Sequence, residues 1–504
     1  MAPTSRKRKP ACTADFSRSV DKDGTVIHFS VRGRSMLFNG HAGKFYDSLP
    51  RWAEAELLEA AQDGSTQAPR SHGVRGTKGA GASAFRRELR LFRTGLHPSL
   101  APEERQGAFE RRGQPRVINV FAGQACNLGC RYCVNRQGTF GGAPSVMSQE
   151  TAQKVLRFIR GVWEARADGR MSVNILGGET LLAGDAVYAL VRGLQDLNHA
   201  SASNEIRVVL ITNGTIYNSK VFEVLAERPD LCAVAVSLDA FQAAHDLNRP
   251  FANSGRGSYA TVLGTIERMA SERIPFSVTC VIPYPYDYIG AAEELHRAGI
   301  TNLELKDLID YVYGGSAVPE DCTGRLATWR ANYLAYTDYF IEYLHSKSPA
   351  RHGDRNALVK YYGGVFNPRV GFYRTLACGI GDEKLGIGAD GAIVPCELLL
   401  GHADFAVGNV RDGFDPGRMQ RFERQVLDQG QFRTDHEKCR RCFAKLICGG
   451  GCYTQSYDAT GRFDPCEERT CELIREKARI DLYFLARLKD EHPATFAEWG
   501  GILD

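Results

Sequence analysis

Between Arg116 and Asp307, six short apolar runs at 116–122, 171–176, 206–211, 233–238, 276–282 and 302–306 alternate with helical segments. Strands separated by helices predict a parallel sheet, because each strand must return beside its neighbour through a crossover. With right-handed crossovers, six such β/α units close into a partial (β/α)6 barrel. Loops after the strands then gather at one face, where barrel proteins place their reactive groups. The expected fold class is α/β.

Cys126, Cys130 and Cys133 fall within eight residues, on the loop that follows the first of these strands. Three clustered thiolates can hold three irons of a 4Fe-4S cluster and leave the fourth iron without a protein ligand. An open iron can bind a substrate or cofactor, so the arrangement points to catalysis more than to electron storage. The alternative is zinc, whose four ligands usually arrive as paired Cys-x2-Cys knuckles. Here the first half is Cys-x3-Cys-x2-Cys, and no Cys or His follows at the usual short distance.

Composition narrows the setting. A chain of 504 residues exceeds one typical core, so two or three domains are expected. The 63 basic and 59 acidic residues nearly cancel, to +4, which argues against a general polyanion partner such as nucleic acid. The basic run Ser5-Arg-Lys-Arg-Lys9 reads as a solvated tail, with a localisation or nucleic-acid patch as the alternative. No apolar stretch reaches the ~20 residues of a membrane span, and no signal-peptide core follows the basic start. Fifteen cysteines without an export signal then point to a reducing cytoplasm and to metal ligation in place of disulfides.

The basic tail occupies residues 1–13. Residues 14–62 form a small β-rich module that opens with two strand-like runs, Thr25–Ser30 and Ser35–Phe38, and turns helical from Phe45 to Ala61. Residues 63–84, rich in Gly, Ser and Ala, read as a flexible linker. A bridging helix at 85–115 carries Phe85, Leu89, Phe92 and Leu96 on one face and leads into the barrel at 116–310. A helical connection (311–370), a cysteine-rich region (371–476) and a C-terminal helix (477–504) complete the chain.

Further motifs stand at the ends of the predicted strands. Gly177-Gly178-Glu179 follows the second, Thr212-Asn213-Gly214 the third and Ser237-Leu238-Asp239 the fourth, with His245, Asp246 and Arg249 shortly after. Glycines permit close backbone approach, and a carboxylate can hold an ammonium group. A structural turn is the alternative. The second cysteine group comprises Cys378, Cys396, Cys439, Cys442, Cys448, Cys452, Cys466 and Cys471.

The Cys-x3-Cys-x2-Cys spacing, with Tyr132 before its last cysteine, resembles the signature of radical S-adenosylmethionine (SAM) enzymes. The later cysteines resemble a SPASM domain, the auxiliary-cluster extension of peptide-modifying members. The resemblance implies that Cys126, Cys130 and Cys133 hold the SAM-binding 4Fe-4S cluster, with Tyr132 against the adenine. By the same resemblance Gly177, Gly178 and Glu179 take the methionyl amino group, Asn213 and Ser237 suit the ribose or carboxylate, and Arg249 pairs with the carboxylate. It also implies two auxiliary clusters, one on Cys378, Cys396 and Cys452 and the other on Cys439, Cys442, Cys448 and Cys471. Thr180 replaces the usual proline of the Gly-Gly-Glu motif. Lys384 stands where some members have a further cysteine, so the first auxiliary cluster keeps an open iron or takes Cys466 as its ligand. Glu397, after Cys396, occupies the place of a catalytic base in a formylglycine-forming group, where burial would raise its pKa. A hydrogen-bond or salt-bridge partner of the cluster region is the alternative.

The blocks Gly138-Thr-Phe-Gly-Gly142, Ala377–Gly386, Val394-Pro-Cys-Glu397 and Val407-Gly-Asn-Val410 resemble maturases of ribosomally made peptides. The likeness is to the thioether-forming type acting on SCIFF peptides or a quinohemoprotein amine dehydrogenase subunit. It implies hydrogen abstraction from a peptide or protein substrate by a 5′-deoxyadenosyl radical. It also implies an external electron donor such as flavodoxin or ferredoxin, and leader docking on the N-terminal strands. Sulfatase maturation and peptide epimerisation share the same ligands. A zinc-stabilised peptide-binding scaffold is the non-enzyme alternative.

Overall fold

In a computed structural model of the chain, the residues described are 26–31, 34–39, 44–47, 115–308, 322–346, 380–426 and 436–494, less short breaks at 167–168, 202–204, 382, 441, 445–447 and 464–467. The expected linker at 63–84, the bridging helix up to residue 114, Cys378 and Cys466 lie outside them.

Three strands precede the barrel: β1 (Val26–Val31), β2 (Arg34–Asn39) and β3 (Lys44–Asp47), paired antiparallel in that order. The first two match the expected hairpin. The third corrects the start of the helix expected from Phe45, because two aromatic residues between Lys44 and Asp47 have no period long enough to separate helix from strand, and pairing with β2 decides it.

The barrel strands are β4 (Val117–Gln124), β6 (Arg170–Gly177), β7 (Glu205–Thr212), β8 (Cys232–Ser237), β9 (Phe276–Ile282) and β10 (Leu303–Asp307). Each pairs parallel with the next, and every strand end lies within two residues of the sequence reading. The two-residue β5 (Ser145–Val146) pairs with the end of β4. Helices α1 (Gln149–Glu164), α2 (Gly184–Ala200), α3 (Ser219–Ala226), α4 (Gln242–Asn248), α5 (Tyr259–Ser271) and α6 (Tyr288–Arg297) supply the crossovers. In α1, Ser148 caps the first turn by accepting from Thr151 N, and Val155, Ile159 and Val162 form the buried stripe. Alternate strand residues such as Val120, Val173, Leu210, Val236 and Leu305 share one core with these helices. Their neighbours Asn119, Asn174, Ser237, Thr279 and Glu304 therefore face the lumen, giving it a polar, partly exposed wall.

The helix α7 (Cys322–Ser346) lies within the expected helical connection. The cysteine-rich region then adds β11 (Lys384–Ile387), β12 (Ala392–Val394), β13 (Gly408–Asn409) and β14 (Gly413–Phe414). β11 pairs parallel with β4, Lys384 opposite Val117, so this region extends the barrel sheet. Helix α8 (Pro416–Val426) packs Met419, Phe422 and Val426 into a second core with Cys396. The short α9 (Glu437–Arg440) and α10 (Tyr453–Thr460) follow, and α11 (Glu468–Glu491) runs across the 476/477 boundary drawn from sequence. It packs on α7, where Tyr333 donates to Asp481 at 2.7 Å. No helix among the described residues is long and apolar enough to cross a membrane.

Candidate active site: the cysteine loop at the barrel mouth

Cys126, Cys130 and Cys133 sit on the loop leaving β4. That loop is stitched to the chain after α4: Gly129 N donates to Pro250 O (2.8 Å), Arg131 N to Asn248 O (2.9 Å), and Ala252 N to Asn127 O (2.9 Å). Leu128, fully buried, bridges to Phe251. The sulfurs themselves accept hydrogen bonds. Leu128 N (3.4 Å) and Asn213 Nδ2 (3.7 Å) approach Cys126 Sγ, and Gln137 N (3.2 Å) approaches Cys133 Sγ. Burial pushes the Cys126 thiol up, and the Cys130 thiol up to about 12, with the neighbouring thiols of the set adding to both. Sulfurs that resist ionisation together yet are lined with N–H donors suit a cationic centre that binds all three as thiolates. The donor set therefore fits an iron–sulfur cluster.

Gly177 and Gly178 cross directly over the start of this loop. A Cβ on Gly177 would lie 2.2 Å from Gly123 O, and one on Gly178 would lie 2.4 Å from Ala125 O. The close approach that requires glycine is thus to the protein's own backbone. Glu179 N donates to Ala125 O (2.8 Å). The Glu179 carboxylate is fully buried and accepts from Leu181 N (2.9 Å), Thr212 Oγ1 (2.8 Å) and Asn213 N (2.7 Å). Burial raises its pKa against the lowering effect of these three bonds. They leave about one of its four lone-pair sites for another partner.

Behind the loop lies a closed polar network that the sequence did not reveal. Tyr132 Oη donates to Asp239 Oδ2 at 2.5 Å, and Arg249 lies over the Tyr132 ring while contacting both Asp239 oxygens at 3.1 and 3.2 Å. Arg249 thus has a bidentate protein partner in Asp239. Likewise Tyr132 is engaged by Arg249 and Asp239. Val281 N also donates to Asp239. His245 Nδ1 accepts from Asp239 N (3.1 Å), while Ser258 Oγ donates to Arg249 O (2.7 Å) and so can only accept from His245 Nε2 (2.9 Å). His245 is thereby fixed as the neutral Nε2–H tautomer, and burial lowers its pKa to about 4. Ser237 ends β8, half-buried on the lumen wall beside Thr279.

A model of the Radical SAM superfamily matches residues 120–296, from β4 to α6. The chain is also 24% identical, over 334 residues, to the serine-type anaerobic sulfatase-maturating enzyme of Klebsiella aerogenes; the match covers 66% of this chain and 77% of that one. Over β4 to α6 the chain is thus similar to radical SAM enzymes. Its fold is similar to that of anSMEcpe with bound AdoMet, at TM-score 0.56 and 18% identity over 75% of this chain and 99% of that one. It is also similar to Streptococcus suis SuiB bound to precursor peptide SuiA, at TM-score 0.51 and 17% identity over 89% and 98%.

The described cysteines of the C-terminal region include a set around Cys448. Cys442, Cys439 and Cys471, the last from the first turn of α11, each make the Cys448 thiol harder to ionise, and Cys471 does the same at Cys442. Burial pushes Cys448 up to about 12. Three left-handed glycines, Gly449, Gly450 and Gly451 at φ 65°, 91° and 83°, turn the chain from Cys448 to Cys452, a path that side chains with a Cβ resist. Cys452 caps α10, two residues before Thr454, whose hydroxyl donates to Cys396 Sγ at 3.7 Å. The start of α10 is thereby set against Cys396. At Glu397 the structure shows the salt-bridge alternative. Burial pushes its carboxyl up, but Lys384 at 3.1 Å, together with hydrogen bonds from the Glu397 backbone and Asn119, outweighs this and holds it below the usual range. Lys384, at the place of a cysteine in some relatives, is the partner of Glu397.

Proposed function

We propose that this protein is a radical SAM enzyme that modifies a ribosomally made peptide or protein, most directly by an intrapeptide thioether or similar crosslink. The observation that carries the reading is the three-thiol loop at the barrel mouth, lined with N–H donors and facing a polar lumen. When bound, the cluster and S-adenosylmethionine supply a 5′-deoxyadenosyl radical that takes a hydrogen atom from the substrate. The chain's own residues do the rest. Cys126, Cys130 and Cys133 hold the cluster; Gly177, Gly178 and Glu179 shape the methionyl end of the cofactor site. Tyr132 flanks the adenine, and Ser237 offers its hydroxyl to the ribose from the lumen wall. The barrel excludes water around the reacting carbon. Cys439, Cys442, Cys448 and Cys471 would hold one auxiliary cluster, and Cys396 and Cys452 part of another.

The N-terminal sheet supports leader docking by strand addition, since β3 is an edge strand among the described residues. SuiB, similar in fold, is known bound to a precursor peptide. An external flavodoxin or ferredoxin would deliver electrons, in the cytoplasm. Sulfatase maturation is the second reading, favoured by the match to the Klebsiella enzyme. The Lys384–Glu397 pair weighs against it, because a carboxylate held below its usual range is a weak base.

Anaerobically purified protein should be brown, hold iron and sulfide for about three clusters, and release 5′-deoxyadenosine from S-adenosylmethionine under dithionite. Colourless, zinc-bound protein without that product would overturn the proposal. Mass spectrometry of a co-expressed precursor separates the readings: a crosslink and a serine-derived aldehyde each lose two hydrogens, but crosslinked fragments stay joined after proteolysis between the linked residues, whereas the aldehyde of a sulfatase peptide condenses with a hydrazine.

A further inference from the structure

We infer that Asn213 is a positioning residue for the cysteine loop, tuning the cluster through its contact with Cys126. Of the hydrogen bonds to the three loop sulfurs, those from Leu128 N and Gln137 N are main-chain contacts. Asn213 Nδ2, 3.7 Å from Cys126 Sγ, supplies a side-chain donor. Its orientation is fixed. Nδ2 also donates to Asn127 Oδ1 (2.9 Å), and Oδ1 accepts from Thr215 N (2.9 Å) and Thr215 Oγ1 (2.6 Å). All four hydrogen-bonding positions of the amide are thereby filled, and a flipped amide would set oxygen against oxygen at Asn127. Asn127 Nδ2 closes the ring by donating to Thr215 Oγ1 (2.8 Å). The backbone N–H of the same Asn213 is held by Glu179 at 2.7 Å. One residue thus joins the buried carboxylate of the Gly-Gly-Glu motif to a loop cysteine.

An N–H aimed at a cluster thiolate stabilises the reduced, more negative state, so its removal moves the reduction potential down. The inference rests on Cys126, Cys130 and Cys133 being cluster ligands. The test is a redox titration of the reconstituted full-length protein, without S-adenosylmethionine, followed by the paramagnetic signal of each reduced cluster. Asn213→Ala should shift the potential of the loop cluster to more negative values, and the isosteric Asn213→Asp should shift it further. The auxiliary signals should stay in place. Thr215→Val, which releases the amide without removing the donor, should give a smaller shift of the same sign. A full complement of iron with unchanged potentials in all three variants would overturn the inference. So would lower thermal stability or iron content as the sole effect in Thr215→Val and Asn213→Asp, which would mark a merely structural ring. If the wild-type protein loses no signal when the three loop cysteines are replaced, the cluster assignment fails instead, a distinguishable result.

Discussion

Cys126, Cys130 and Cys133 ride on a loop bonded along residues 248–252 by main-chain hydrogen bonds, and Glu179 and Asp239 anchor its flanks with buried carboxylates. Cys439, Cys442, Cys448 and Cys471 are gathered differently, by short turns, a run of left-handed glycines and the first turn of α11. The first set is prepared by the protein around it, so its geometry should persist without metal. The second set is gathered from separate segments of the chain, and metal binding there should contribute folding free energy directly. One site is shaped for chemistry at an open iron, the other for a group that holds the chain together.

The largest test of this contrast replaces whole sets. Cys126, Cys130 and Cys133 changed together to Ala should abolish 5′-deoxyadenosine formation while the fold and the remaining iron persist. Replacing Cys439 and Cys442 should instead lower the unfolding temperature and release iron. Equal loss of thermal stability in both proteins would remove the distinction.

A smaller effect is expected at Glu179. Glu179→Ala leaves three buried donors without their acceptor, at a cost of about 3–5 kcal/mol, measurable by chemical denaturation under anaerobic conditions. Glu179→Gln retains an acceptor and should recover part of that stability. If the carboxylate also holds the methionyl amino group, Glu179→Gln should still weaken S-adenosylmethionine binding in a titration. Unchanged affinity would confine Glu179 to the anchoring role.

His245 tests the network behind the loop by pH. Its folded pKa, about 4, lies below the ordinary 6.5, so the unfolded chain takes up a proton first as pH falls. Stability present above pH 6.5 should therefore decline between 6.5 and about 4, by on the order of 3 kcal/mol. Thermal unfolding of His245→Gln should follow a flatter profile over that window, and parallel profiles would show that His245 is not the group responsible.

The smallest effect is expected at Gly450→Ala, where φ is 91°. Forcing a Cβ into the left-handed region costs about 1–2 kcal/mol, and should speed iron release to a chelator from the four-thiol site alone. Faster release from the loop site as well would show that the two sites are not held independently.

Much of the barrel was legible because its signals are local. The six strands follow from apolar runs of fixed length, and the three loop thiols from spacing within eight residues. The order of strands also follows, since crossover handedness leaves few alternatives. Phe45 was misread because four residues do not carry a period. At Glu397 the sequence left a base and a salt-bridge partner open, because the ammonium that pairs with it, Lys384, stands thirteen residues away on β11.

The sequence by itself determined the α/β class, the spacing of the three loop thiols and the motifs at the strand ends, since each depends on residues close together in the chain. Only the tertiary structure decided what those motifs touch: Gly178 against Ala125, Asn213 against Cys126, Arg249 across Asp239, and β11 along β4. These contacts join segments brought together by crossovers and sheet closure. Whether a carboxylate meets a ligand or a backbone N–H there depends on distances of an ångström, which no local pattern of residue types encodes.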